Sequence, residues 1–177
     1  FSNKIGVIVA DISNEFFSSA ISGISQVMDD NGFQVLFYNT DEDLKKESKA
    51  LYSIFEERLS GLIISPVSSK DKNTLEKLKK LKDKMKVPIV LLDRDIEGIN
   101  LDAVFVDNGF GSKRAVNALI EEGHENIAII TGPITSTPGN YRYRGYIDAL
   151  KENNLQIKEE YIVSGDFKIS MAYKKTK

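Results

Sequence analysis

The sequence predicts an α/β protein of two lobes, each built on a parallel, doubly wound sheet, with the second lobe incomplete. Three observations carry this. Short runs such as KIGVIVA and GLIISPV are apolar without interruption, as strands covered on both faces must be. They alternate with longer stretches whose apolar residues recur at helical spacing. The alternation breaks once, near residue 102.

KIGVIVA (4–10) is the first strand, and Ser13 and Asn14 after it are good N-caps, so a helix starts there. Phe16, Phe17, Ala20, Ile21, Ile24, Val27 and Met28 mark its apolar face until Asn31 and Gly32 supply a left-handed stop. FQVLFYN (33–39) is the second strand. Thr40 and Asp43 stand at capping-box spacing before a helix with Leu44, Leu51, Ile54, Phe55 and Leu59 on one side. GLIISPV (61–67) is the third strand, a lysine-rich helix with a stripe of Leu75, Leu78, Leu81 and Met85 follows, and VPIVLLD (87–93) is the fourth. Its lysines read as a solvated face.

IEGINLD (96–102) then lacks helical signals, and AVFVD (103–107) follows too closely for a helical crossover in the same sheet. The expectation is that residues 103–107 enter a second sheet, giving lobes of residues 1–102 and 103–177. The second lobe restarts with a helix at about 110–122 closed by Gly123, strand NIAIITG (126–132), a helix at about 141–153 and strand YIVSG (161–165). It stops as FKISMAYKKTK opens a further helix, so the chain reads as a fragment. It also begins at Phe1, so a segment upstream is expected.

Composition narrows the functions. Lys and Arg number 24 against 26 Asp and Glu, a net charge of -2, which argues against a surface built to grip phosphate backbones. With no cysteine there is neither a disulfide framework nor thiolate chemistry. No apolar run reaches the roughly 18 residues of a membrane helix, so no membrane span is expected.

In an open parallel sheet ligands lie beyond the carboxyl ends of the strands. Four segments lie there: DISNEFF, PVSSKD, DRD and GPITSTPGNYRYRG. Catalytic readings of them fail. The single histidine, His124, follows a helix-ending glycine, no second histidine exists for zinc, and no G-x-S-x-G elbow occurs. NGFGSKRA has G-x-G, but Arg114 fills the third glycine position of a dinucleotide loop. The expectation is a binding protein, not an enzyme, with no cofactor and no metal. At DRD, a carboxylate that accepts vicinal hydroxyls stands beside a guanidinium that donates in a fixed fork, which suits a polyhydroxylated ligand. Asp93 and Arg94 either grip such a ligand, or pair with each other or close a loop. Of Phe16 and Phe17, one belongs to the core and the other is free to cover a sugar face.

KIGVIVADISNEFF, LIISPV, VPIVLLDR, VFVDN, EEGHENIAIITGP and RYRGYIDAL, in that order, resemble the effector-binding core of LacI/GalR-type transcription regulators. The resemblance implies the periplasmic-binding-protein type I fold, shared with ribose- and galactose-type sugar-binding proteins. It implies that Asp93 and Arg142, from opposite lobes, hydrogen-bond sugar hydroxyls, with Arg94 and Asn14 as further polar contacts. Phe16 and Phe17 match an NPFF pair with Glu15 in place of proline, and Phe167 of the GDF segment either stacks on the sugar or packs in the core. The family's S-G-Y departs to Ser170, Met171, Ala172 and Tyr173. The resemblance further implies a cytoplasmic homodimer, paired through the helix at 15–31. A sugar-like effector would set its grip on operator DNA, held by an N-terminal helix-turn-helix domain absent from this chain. The alternative is a periplasmic or lipid-anchored sugar-binding protein of an ABC uptake system.

Overall fold

Residues 2–176 are described by the structure, a computed structural model. The chain divides between Phe105 and Val106 into two compact units. Among the described residues no helix is long and apolar enough to cross a membrane.

Unit 1 is a parallel sheet in the order β2-β1-β3-β4-β5, with strands β1 (Lys4–Val9), β2 (Gln34–Asn39), β3 (Gly61–Ile64), β4 (Ile89–Leu92) and β5 (Asp102–Val104). Its helices are α1 (Glu15–Asp30), α2 (Leu44–Glu57) and α3 (Lys72–Lys79), the last running into a π-helical turn at Lys80–Lys84. Successive side chains of a strand point to opposite faces, and β1 uses both. Ile8 packs with Leu51, Ile54, Leu62, Ile64, Leu78 and Leu81 on the α2 and α3 side. Val7 and Val9 pack with Phe17, Ile21 and Ile24 on the α1 side. This is why β1 shows no polar alternation: each fully buried aliphatic side chain contributes about 1.5–3 kcal/mol.

Two local expectations are corrected here. Residues 102–104 belong to the first sheet, with Leu91 opposite Ala103, so the run expected to enter a second sheet begins as the edge of the first. The crossover needs no helix because a three-residue strand is only about 10 Å long, and residues 93–101 reach roughly 30 Å. Ile96, buried in the α2 and α3 side, anchors that connector. The units therefore divide three residues later than expected. At the start of α2, Asp43 is the N-cap, accepting from the backbone N–H of Lys45. Thr40 is buried, and its hydroxyl donates to Val9 O instead.

Unit 2 holds β6 (Ile129–Thr131) parallel to β7 (Ile162–Ser164), with α4 (Asn108–Glu121), α5 (Thr137–Glu152) and α6 (Ile169–Lys175). Both long helices start earlier than expected, because Asp107 and Ser136 cap them. A Cβ at Gly145 of α5 would lie 2.2 Å from Gly109 O of α4, so these helices meet backbone to backbone. Gly109, the first glycine of NGFGSKRA, thus lies at this helix contact, while a Cβ at Gly111 would meet open space. Tyr146, Ala149, Leu150, Val116 and Ile127 form the core, with the Tyr146 hydroxyl donating to Ile127 O at 2.8 Å.

Candidate functional site

Unit 1 gathers five of the candidate residues at the carboxyl ends of β1 and β4. Asn14 caps α1, its Oδ1 accepting from Phe16 N at 3.0 Å, and its exposed amide NH2 can donate to a ligand. The two phenylalanines divide as their spacing requires: Phe17 is 3% exposed within the Val7, Val9 and Ala10 cluster, while Phe16 is 41% exposed. Their rings meet edge to face at 5.2 Å.

Asp93 sits at a backbone corner. Its φ is +64°, its N–H donates to Val104 O at 2.8 Å, and the next N–H, of Arg94, turns back to Leu92 O at 2.7 Å. That is a γ-type turn on a non-glycine residue, a conformation that persists only when its surroundings impose it. Asp93 and Arg94 are 9% and 3% exposed. The Arg94 fork lies on the carboxylate of Glu42, with NH2 to Oε1 at 2.6 Å and NH1 to Oε2 at 2.8 Å. NH1 also donates to Pro66 O at 3.4 Å, and the guanidinium carbon stands 5.9 Å from the centroid of the Phe17 ring. Sequence reasoning missed Glu42, which is separated from Arg94 by 52 positions and carries no local signal.

Behind this pair, Glu47 is fully buried, accepting from Val67 N at 2.7 Å and from the Thr74 hydroxyl. Burial raises its pKa above the usual carboxylate value; the bonds from Thr74 and Val67 and the charge of Arg94 oppose that shift, and Asp71 adds to it.

In unit 2, Arg142 and Phe167 line one pocket of about 300 Å³, together with Thr131, Gly132, Asp166 and Lys168. Arg142 is exposed on α5 and oriented through Nε, which donates to Oδ1 of buried Asn108 at 2.7 Å. Asn108 stands in the VFVDN segment, yet its spacing gave no sign of this contact. Phe167 has φ +66° and follows Asp166, whose Oδ1 accepts from Lys168 N at 3.0 Å. Its ring lies on Gly132, where a Cβ would come within 2.0 Å of two ring carbons. Phe167 is therefore half-buried at a pocket wall.

Carboxylates that accept, guanidinium and amide groups that donate, and a partly open aromatic ring can hold a polyhydroxylated molecule. Among the described residues no group of three or more His, Asp or Glu side chains could hold a metal ion, and His124 is exposed. The family model for periplasmic binding proteins and the sugar binding domain of the LacI family matches residues 2–175. The chain belongs to this family. It is 32% identical over 176 residues to the ribose operon repressor of Halalkalibacterium halodurans, covering 99% of this chain and 50% of that one. It is 30% identical over 172 residues to the HTH-type transcriptional repressor PurR of Photorhabdus laumondii, covering 97% and 49%. The chain thus spans about half the length of these curated relatives. A solved family structure, a periplasmic binding protein/LacI transcriptional regulator from Alkaliphilus metalliredigens QYMF complexed with D-xylulofuranose, is 28% identical with a TM-score of 0.81. It aligns over 97% of this chain and 60% of that one.

Proposed function

We propose that this chain is the effector-sensing part of a LacI-type transcriptional regulator and that its effector is a sugar or sugar derivative. Asp93, Arg94, Asn14 and Phe16 supply the contacts from unit 1, with Phe17 as the packed ring beneath them; Arg142 and Phe167 supply those from unit 2. The observation that carries this reading is that Asp93 and Phe167, each following a strand, are held at positive φ in their own unit. Backbone strain of this kind collects where a side chain must be aimed.

The relatives at 30% and 32% identity are both repressors, which weighs against an uptake-system protein. A regulator works as a switch: the effector stabilises one arrangement and so changes the affinity of the DNA-binding heads, by an amount fixed by its differential affinity for the two states. The heads belong to a helix-turn-helix domain outside this chain, and a net charge of -2 accords with phosphate contacts being made elsewhere. A cytoplasmic homodimer paired through α1 completes the reading; Val27 on that helix is 56% exposed, as an interface residue of one protomer would be.

The test is operator binding by the full-length protein, measured by fluorescence anisotropy on its own upstream DNA with neutral sugars, sugar phosphates and purines added in turn. A sugar that shifts the operator Kd at least about fivefold is expected, the lower end of ordinary allosteric coupling. Retention of full operator affinity with every sugar, or no operator binding at all, would overturn it.

A further inference from the structure

We propose that Glu42 is the positioning and charge-cancelling residue of the unit 1 half-site, making that wall select uncharged hydroxyl groups over phosphate or carboxylate. This rests on the reading of Asp93 and Arg94 as effector contacts.

An arginine at a ligand wall normally offers two things, a rigid fork and a positive charge that draws anions. Here Glu42 takes both terminal nitrogens in a bidentate pair whose side chains are only 4% and 15% exposed. Water and salt therefore do little to screen it, and the charge of Arg94 is met before any ligand arrives. The fork is also immobilised, with Pro66 O on one edge and the Phe17 ring beside it.

The loop is built around this pair. Asp41 and Glu42 both adopt positive φ, +52° and +59°, and Glu42 N donates to Ala10 O at 3.1 Å. Two consecutive non-glycine residues in the left-handed region are costly, and the backbone bond to Ala10 and the ion pair hold them there. The charges around the pair are mostly of one sign. Asp11 follows β1, Asp41 and Glu42 follow β2, Asp93 and Asp95 follow β4, and Glu47 lies behind. Arg94 meets Glu42, and Lys46 is held by Asp41 at 3.2 Å. A phosphate brought to Arg94 would have to displace Glu42 or share the fork with it, whereas a hydroxyl can accept from the guanidinium edge and donate to Asp93 with both charges left paired.

The experiment uses the full-length protein as the native chain, as Glu42→Gln, and as the Glu42→Gln/Arg94→Gln double variant, with thermal unfolding and binding titrations. Inorganic phosphate is one probe, read against chloride at equal ionic strength; D-ribose and D-xylulose are the others. Glu42→Gln frees the guanidinium, so phosphate at about five times its Kd is expected to raise its Tm by roughly 2–4 °C more than that of the native chain. The double variant loses this gain. Where a neutral sugar binds the native chain, its Kd rises about tenfold or more in Glu42→Gln. A phosphate response in Glu42→Gln equal to that of the native chain, or a gain that survives in the double variant, would refute the assignment. Failure of both sugars with the native chain would count against the sugar reading, while the phosphate comparison still decides the role of Glu42.

Discussion

The two units hold their candidate residues in different ways. Each places a residue just past a strand in a left-handed conformation, Asp93 in unit 1 and Phe167 in unit 2. In unit 1 Arg94 and Glu47 are buried and matched within the protein: the Arg94 fork is closed by Glu42, and both Glu47 oxygens accept hydrogen bonds behind it. In unit 2 the arginine stays exposed, steered through Nε by Asn108, and the aromatic ring is shaped by a glycine. Unit 1 thus ties its site to folding stability, whereas unit 2 adjusts its site with little effect on the core.

That contrast can be broken by asking which currency each substitution moves. The largest effect is expected from Glu42→Ala, which strands a buried guanidinium and should lower unfolding stability by about 3–5 kcal/mol in denaturant titrations. A loss under 1 kcal/mol would mean the pair is not buried in solution. Next is Gly132→Ala, whose Cβ displaces the Phe167 ring. It should weaken effector binding about tenfold, equivalent to ~1.4 kcal/mol, while the unfolding midpoint moves little. A large stability loss with unchanged affinity would reverse the contrast.

The smallest effect is a pH slope from Glu47. Its folded pKa lies above the ordinary value of 4.5, so the folded state binds the extra proton. The stability this contributes is present below that ordinary value and is lost as pH rises through the raised folded pKa. Glu47→Gln should flatten this decline. An unchanged stability profile in the variant would show that Glu47 does not titrate differently on folding.

What could be read from the sequence was what local physics determines. Uninterrupted aliphatic runs gave β1, β3 and β4, the inner strands of unit 1, because both faces are covered, and Asn14 gave the start of α1 because a cap acts within three residues. The adjacency of Phe16 and Phe17 forced one ring inward on an amphipathic helix. The runs at 126–132 and 161–165 overstate β6 and β7, since apolar residues continue where strand pairing stops. The place of β5 was not legible, because a parallel crossover usually carries a helix and the burial of Ile96, which anchors this short one, depends on the packed core. Glu42 was invisible for a similar reason: its partner is brought to it by the parallel order of β2, β1, β3 and β4, not by any spacing along the chain.

The most direct measurement is a thermal-shift titration of the full-length native protein, Asp93→Ala and Arg142→Ala against neutral sugars, sugar phosphates and purines. At 100 times its Kd the effector should stabilise the native protein by about 2.7 kcal/mol, and each variant should lose that response while remaining folded. A full shift surviving in both variants would contradict the assignment of the effector site to these two residues.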